Sequence, residues 1–257
     1  MTVPRIYFPG IMGKGALCDL GGENVKYVKS VLRMKKGDHL ILFDGAGWEY
    51  EAAIRDVSAD GISVEVLGKK RIEDDVPRIT LLQALPKANK IDSIVQKATE
   101  LGACRIIPFR SARSIPRLTA HNARVRVLRW RSIATEAARQ CRRADIPEIK
   151  EVLSFEEALA SVEGGALKII FWEEEVERGI KNLLREKRCE GARDISVVIG
   201  PEGGFSKEEV DSAVRKGFIS VSLGKNILKV ETAAVTVLSI IQYELGIFGG
   251  EPEGGDL

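Results

Sequence analysis

The chain has 257 residues, 44% of them hydrophobic and 30% charged, with 39 Lys and Arg against 37 Asp and Glu. That length exceeds the roughly 100 to 150 residues of a typical domain and points to two domains. The composition is that of an ordinary globular protein, no apolar run approaches the roughly 20 residues of a membrane helix, and Met1-Thr2-Val3-Pro4-Arg5 lacks a secretory signature, so a cytoplasmic protein without membrane contact is expected.

Residues 1–70 read as β-structure with one helix. Glu23 to Arg33 carries Val25, Val28, Val31 and Leu32 at helical spacing. Trp48, Tyr50, Ala52 and Ile54, then Ile62, Val64 and Val66, alternate as in half-buried strands, and Asp44-Gly45-Ala46-Gly47 supplies a hairpin turn. Gly68 to Pro77, charged and ending in proline, breaks both periodicities and places a linker at 71–77. From 78 to 248 apolar strands alternate with amphipathic helices. Strands are expected at Ile79–Leu85, Ile106–Phe109, Leu167–Trp172, Ile195–Ile199 and Phe218–Leu223. Helices are expected at Ile91–Leu101, around Val127–Cys141, and at about 176–188, 207–216 and 232–245. Such alternation predicts an α/β domain with a parallel sheet between helices. The glycine-rich, acidic tail 249–257 has little to bury and is expected to be disordered.

Cys18, Cys104, Cys141 and Cys189 lie far apart with no Cys-x-x-Cys pair, which argues against a zinc ribbon or a disulfide framework and for buried, reduced thiols; no metal is expected. Between Arg105 and Arg143 stand eleven arginines and a single acid, Glu136, a local balance of +10. Arginine grips phosphates and stacks on bases, so this segment suits structured RNA, the alternative being a solvated face paired to acids elsewhere. His39 falls in a strand and His121 at a helix start, and both are read as structural.

Ligands of a parallel α/β sheet collect at the carboxyl ends of its strands. Three loops there attract interest: the one after Phe171-Trp172, Gly200 to Phe205, and Gly224 to Val230. The second follows a fully apolar strand with three glycines and a proline, and Ser206 with Glu209 forms a capping box for the next helix. Its glycines permit close backbone approach to a ligand, or serve a tight connection only. Neither a Gly-x-Gly-x-x-Gly helix start nor a P-loop occurs.

Taken in order, Arg5-Ile6-Tyr7-Phe8, Val31-Leu32-Arg33, Leu42-Phe43-Asp44-Gly45, Gln96-Lys97-Ala98-Thr99-Glu100-Leu101-Gly102, Glu136-Ala137-Ala138-Arg139-Gln140-Cys141, Ile199-Gly200-Pro201-Glu202-Gly203-Gly204 and Leu223-Gly224 with Glu231-Thr232-Ala233 resemble the RsmE family of ribosomal small-subunit uracil-N3 methyltransferases, of the SPOUT superfamily. The resemblance implies a PUA-like RNA-binding β-barrel at 1–70 and a knotted α/β methyltransferase domain at 78–248. It implies S-adenosylmethionine as cofactor, dimerisation through the knotted domain, and methylation of N3 of one uridine, position 1498, in 16S rRNA of the small ribosomal subunit. It places the cofactor against Phe171, Trp172, Ile199, Gly200, Pro201, Glu202, Gly203, Leu223, Gly224, Ile227, Leu228 and Thr232, Glu202 serving alternatively as charge complement to the helix that starts after Ser206, and RNA against Arg5, Arg33, Arg113, Arg139, Arg142 and Arg143.

For the catalytic positions the resemblance offers Glu231, Lys229 and Asn226. Glu231 is a candidate for proton handling, with helix capping or orientation of a neighbouring cation as the alternative. Asn226 and Lys229 stand where the family carries two arginines. Either those arginines position RNA, or Arg113, Arg139 or Arg143 supply the lost contacts. A non-catalytic assembly factor and a ribose 2′-O methyltransferase remain the other readings. Cys141 is read as a small buried residue, since N3 methylation needs no cysteine nucleophile.

Overall fold

The computed structural model describes residues 3–58, 61–72, 76–114, 118–162, 166–186, 191–246 and 248. The chain divides into two compact units, Met1–Asp74 with Thr135–Ile146, and Asp75–Ala134 with Pro147–Leu257. The stretch 78–248 is therefore not one continuous unit. The tail 249–257 and Cys189 lie outside the described residues.

The first unit is a five-stranded sheet of β1 (Arg5–Tyr7), β2 (Leu17–Leu20), β3 (His39–Phe43), β4 (Trp48–Val57) and β5 (Ile62–Arg71), in the order β1-β3-β4-β5-β2. Alternation turns Tyr50, Ala52, Ile54, Ile62, Val64 and Val66 inward to a common core with Ile6, Leu20 and Leu40. The Asp44 carboxylate closes the β3–β4 turn by accepting from the backbone N–H groups of Ala46 and Trp48. Strand β5 continues through Gly68 to Arg71, into the start of the stretch read as a linker, and pairs there with Trp48–Glu51 beyond a bulge at Glu51/Ala52.

The expected helix over 23–33 is one α-turn, α1 (Glu23–Lys26), that widens into a π-helix at Tyr27–Val31. Val28 is buried whereas Val31 is exposed, so the wider turn leaves part of the anticipated stripe outside. Residues 135–146 complete this unit. Arg5 is buried, ion-paired to Glu49, over the Phe43 ring, and donates to the Arg143 carbonyl. Such a guanidinium holds the unit together and is not displayed to phosphate.

The second unit is a wholly parallel sheet. Its strands are β6 (Arg78–Ala84), β7 (Ala103–Arg110), β8 (Glu148–Ile149), β9 (Leu153–Ser154), β10 (Leu167–Phe171), β11 (Asp194–Ile199) and β12 (Ile219–Val221), in the order β12-β10-β11-β6-β7-β8 with β9 beside β7. The helices are α2 (Lys90–Glu100), α3 (Ala120–Cys141), whose last residues belong to the first unit, α4 (Phe155–Ala160), α5 (Ile180–Leu184), α6 (Lys207–Arg215) and α7 (Val230–Glu244). Among the described residues no helix is long and apolar enough to cross a membrane.

The helix expected at 176–188 is reduced to α5. Val176 is fully displayed to solvent, and the backbone before α5 instead pairs with the strand edge, Ser222 N–H donating to Arg178 and Ile180 N–H to Ser222. Among the described cysteines Cys18 is buried, where desolvation pushes its thiol up and keeps it unreactive, and Cys104 and Cys141 are half-buried. His39 and His121 are both exposed.

Helix α7 packs on α2, and a polar contact fastens its far end to the turn that follows α2. Gln242 donates to the Leu101 carbonyl at 2.8 Å, and its amide nitrogen lies 2.3 Å from where a Cβ on Gly102 would sit, in a backbone with φ +81°. Gly102→Ala is expected to lose about 2 kcal/mol or more, from left-handed strain plus the displaced hydrogen bond. Urea unfolding reads this as a lowered midpoint at constant slope.

Candidate active site

Strands β10, β11 and β12 end side by side at the carboxyl edge of the sheet, and the loops they feed enclose a pocket of about 470 Å³. The volume suits a cofactor-sized molecule. All three loops singled out from sequence line it, bringing together Phe171, Trp172, Ile199, Gly200, Pro201, Glu202, Gly203, Leu223, Gly224, Ile227 and Leu228. Thr232, in the first turn of α7, is exposed and is not part of the lining.

The second loop is anchored from below. Phe205 is fully buried, stacked on Phe109 with centroids 6.4 Å apart and tilted against Phe155 at 5.6 Å. A Cβ on Gly200 would meet that ring at 3.1 Å. One on Gly203 would meet Arg113 Cβ at 3.2 Å, and Gly204, at φ +67°, has the Glu173 carboxylate where its Cβ would be. The loop's three glycines thus admit its own neighbours. Gly224 differs: it has φ +118° and no atom within 4 Å, so the third loop is where backbone lies open to a ligand.

The loop is also fastened at both ends. Ser206 and Glu209 form the expected capping box of α6, and Glu209 accepts in addition from Ala112 N–H at 2.8 Å. Arg113, exposed, donates to the Gly203 carbonyl at 3.0 Å. On the other side both Glu202 oxygens accept from Lys87 N–H at 3.1 Å, and Lys90 Nζ donates to Oε1 at 2.9 Å.

Lys87 and Lys90 were missed by sequence reasoning. The signal was present, because Leu85-Pro86-Lys87 follows β6, a fourth strand ending at the same edge of the sheet.

The fit to an adenosyl group is favourable. Phe171 and Ile199 are buried and apolar, Leu223 and Leu228 are half-buried, and Gly224 offers open backbone. Trp172 Nε1 is buried with no hydrogen-bond acceptor among the described residues, a donor available to whatever occupies the pocket.

Asn226 and Lys229 are exposed and line the pocket. Glu231, two residues beyond Lys229, lies just outside the lining in the first turn of α7, with Lys90 Nζ 3.6 Å from its Oε2. Of the arginines, Arg33 and Arg142 are exposed, at φ +53° and +65°. Arg139 stacks on Tyr27 and pairs with Glu136, and Arg143 pairs with Asp145. Arg105, Arg129 and Arg131 likewise pair with Glu148, Asp92 and Glu151. Much of the local excess of positive charge is therefore met by acids outside the segment.

Comparison with known proteins agrees with this geometry. A family model described as an RNA methyltransferase domain matches residues 73–242, and one described as an RNA methyltransferase PUA domain matches 20–67. The ribosomal RNA small subunit methyltransferase E of Bacillus subtilis is 32% identical over 90% of this chain and 91% of its own, and that of Mycobacterium bovis 28% over 94% and 92%. A solved methyltransferase of Legionella pneumophila, in complex with SAM, superposes with a TM-score of 0.85 at 30% identity, covering 95% of this chain and 98% of its own. The small subunit methyltransferase E of Neisseria gonorrhoeae bound to S-adenosyl methionine gives 0.84 at 30%, covering 94% and 98%.

Fold and pocket define an RNA methyltransferase with a PUA-type amino-terminal domain and a SPOUT-type α/β domain. The chain belongs to the ribosomal RNA small subunit methyltransferase E family.

Glu202 bears a test. Burial works to raise its carboxyl pKa, but hydrogen bonds from Lys90 and from backbone N–H groups outweigh it and hold the group below its ordinary 4.5. A depressed folded-state value means a contribution present above the ordinary carboxylate range and lost as pH falls through the folded value. In the native chain cofactor affinity is expected to hold through the ordinary carboxylate value of 4.5 and to weaken only below it. In Glu202→Gln it should already be weak at pH 7, with a flatter acid limb; isothermal calorimetry at stepped pH compares them.

Proposed function

We propose that the chain methylates N3 of the uracil at position 1498 of 16S rRNA, within the small ribosomal subunit, using S-adenosylmethionine held in the three-loop pocket. It acts in the cytoplasm, as a homodimer formed through the α/β domain. The observation that carries the reading is the enclosure of one pocket by the ends of β10, β11 and β12 in a chain of this family. When bound, S-adenosylmethionine supplies an electrophilic methyl group.

Residues of the chain supply alignment and proton handling. Phe171, Ile199, Leu223 and Leu228 offer apolar surface to the adenine, while the backbone at Gly224 can approach its polar edge. Glu202 belongs to the wall as an anchor tied to Lys87 and Lys90. The uracil imide must lose its N3 proton while the flanking oxygens gain negative charge.

Lys229 suits the second task. It occupies the N-cap of α7, where a side chain without an acceptor cannot cap and a cation opposes the helix dipole, so local helix energetics do not account for it. Asn226, on the same loop, adds a neutral donor. Glu231 suits the first task, being an acceptor in the first turn of the same helix. Arg113, exposed and hydrogen-bonded to Gly203, supplies RNA contact there, with Arg33 and Arg142 displayed on the first unit.

Label transfer from S-adenosylmethionine to small-subunit particles lacking the modification, followed by mass spectrometry of the nucleoside, is expected to yield N3-methyluridine. A ribose-methylated product would overturn the site assignment, and cofactor binding without transfer would favour an assembly factor. Glu231→Gln is expected to lower kcat about 10² to 10⁴-fold with cofactor binding retained, the usual range for removing a general base.

A further inference from the structure

Lys90 begins α2, beside the pocket and outside its lining. A cation in the first turn of a helix opposes the macrodipole, and Asn89 before it makes no side-chain cap, so helix formation gives no reason for a lysine here. Its surroundings do. The ammonium donates to Glu202 Oε1 at 2.9 Å and stands 3.6 Å from Glu231 Oε2.

One cation therefore joins the start of α2, the glycine-rich loop after β11 and the first turn of α7. The two carboxylates are treated unequally. Both oxygens of Glu202 are engaged, Oε1 by Lys90 and both by Lys87 N–H. Glu231 Oε2 is buried and accepts no hydrogen bond among the described residues, the 3.6 Å separation being an ion pair beyond hydrogen-bond range. Buried acceptors are normally satisfied, and the exceptions call for a partner or a task.

We propose that Lys90 is a positioning residue for methyl transfer. Its ammonium clamps Glu202, which fixes the cofactor-side loop, and stands beside the buried Oε2 of Glu231, orienting that carboxylate so that its other oxygen meets the proton of the substrate. The second half rests on the reading of Glu231 as proton acceptor; the first half does not. Lys90 itself touches neither the cofactor nor the reacting atoms.

The test uses the full chain, calorimetric affinity for S-adenosylmethionine, and kcat and KM for label transfer to small-subunit particles. Lys90→Met is expected to weaken cofactor affinity about tenfold and lower kcat by a similar factor, the scale of one charged hydrogen bond. Lys90→Arg should restore both to within about threefold, since the charge and donors persist. In a Glu202→Gln background Lys90→Met should add little to the affinity loss, and in Glu231→Gln little to the kcat loss.

A merely structural lysine would instead lower the melting temperature with affinity and kcat unchanged, and that result overturns the proposal. Should Lys90→Met fail to fold, Glu202→Gln decides alone, and native cofactor affinity in that variant overturns the clamp. A Glu231→Gln chain with native kcat refutes the proton-acceptor reading while the affinity data still judge the clamp. A Glu231→Gln chain that is slow, beside a Lys90→Met chain that is native in both readouts, refutes Lys90 alone.

Discussion

The pocket depends on one packing event, the burial of Phe205 beneath Gly200. A loop of glycines has little side chain with which to hold a shape, and glycine loses more conformational freedom on ordering than any other residue. Here the order is imposed from the core, where Phe109, Phe155 and Phe205 form a cluster that fixes the end of the loop. The missing Cβ of Gly200 makes room for the ring, and the Ser206–Glu209 box turns the chain at once into α6. Everything above inherits its position: the Glu202 contacts to α2, the Arg113 contact at Gly203, and the edge of the cavity.

Electrostatics around this anchor is organised by pairing. The arginine-rich stretch looks, in one dimension, like a surface awaiting phosphate. In three dimensions Arg129 and the Trp130 indole share Asp92, and Arg139 rests on Tyr27. Exposed ion pairs of this kind contribute little to stability, so their value lies in fixing side-chain direction.

Much of the architecture was legible because the strands of the second unit are buried on both faces and read as apolar runs. Ile79–Leu85 and Ile195–Ile199 each matched a strand to within a residue or so. The three pocket loops were legible for the same reason, as they follow those runs. The failures came where local pattern competed with tertiary contact. Gly68 to Arg71 reads as a break yet extends β5 through a bulge, and the expected helix from 176 starts only at Ile180 because the backbone at Arg178 and Ile180 is claimed by Ser222. The position of Lys90 after a fourth strand was legible but its partners were not, since nothing in the sequence near it announces Glu202 or Glu231, more than a hundred residues away. The motif glycines were legible as special but not for the right partner: three serve protein neighbours and Gly224 faces open space.

Helix α3 carries a last consequence. Its final residues, with the segment up to Ile146, belong to the first unit, where Arg143 meets Arg5 and Ile146 N–H donates to Gly45. The amino-terminal unit is thus assembled from two stretches of chain that the α/β unit interrupts. Modularity in this protein is spatial without being genetic: a gene fragment ending before the linker would encode a sheet lacking part of its own covering, and an exchange of RNA-binding modules between relatives would have to carry the end of that helix with it.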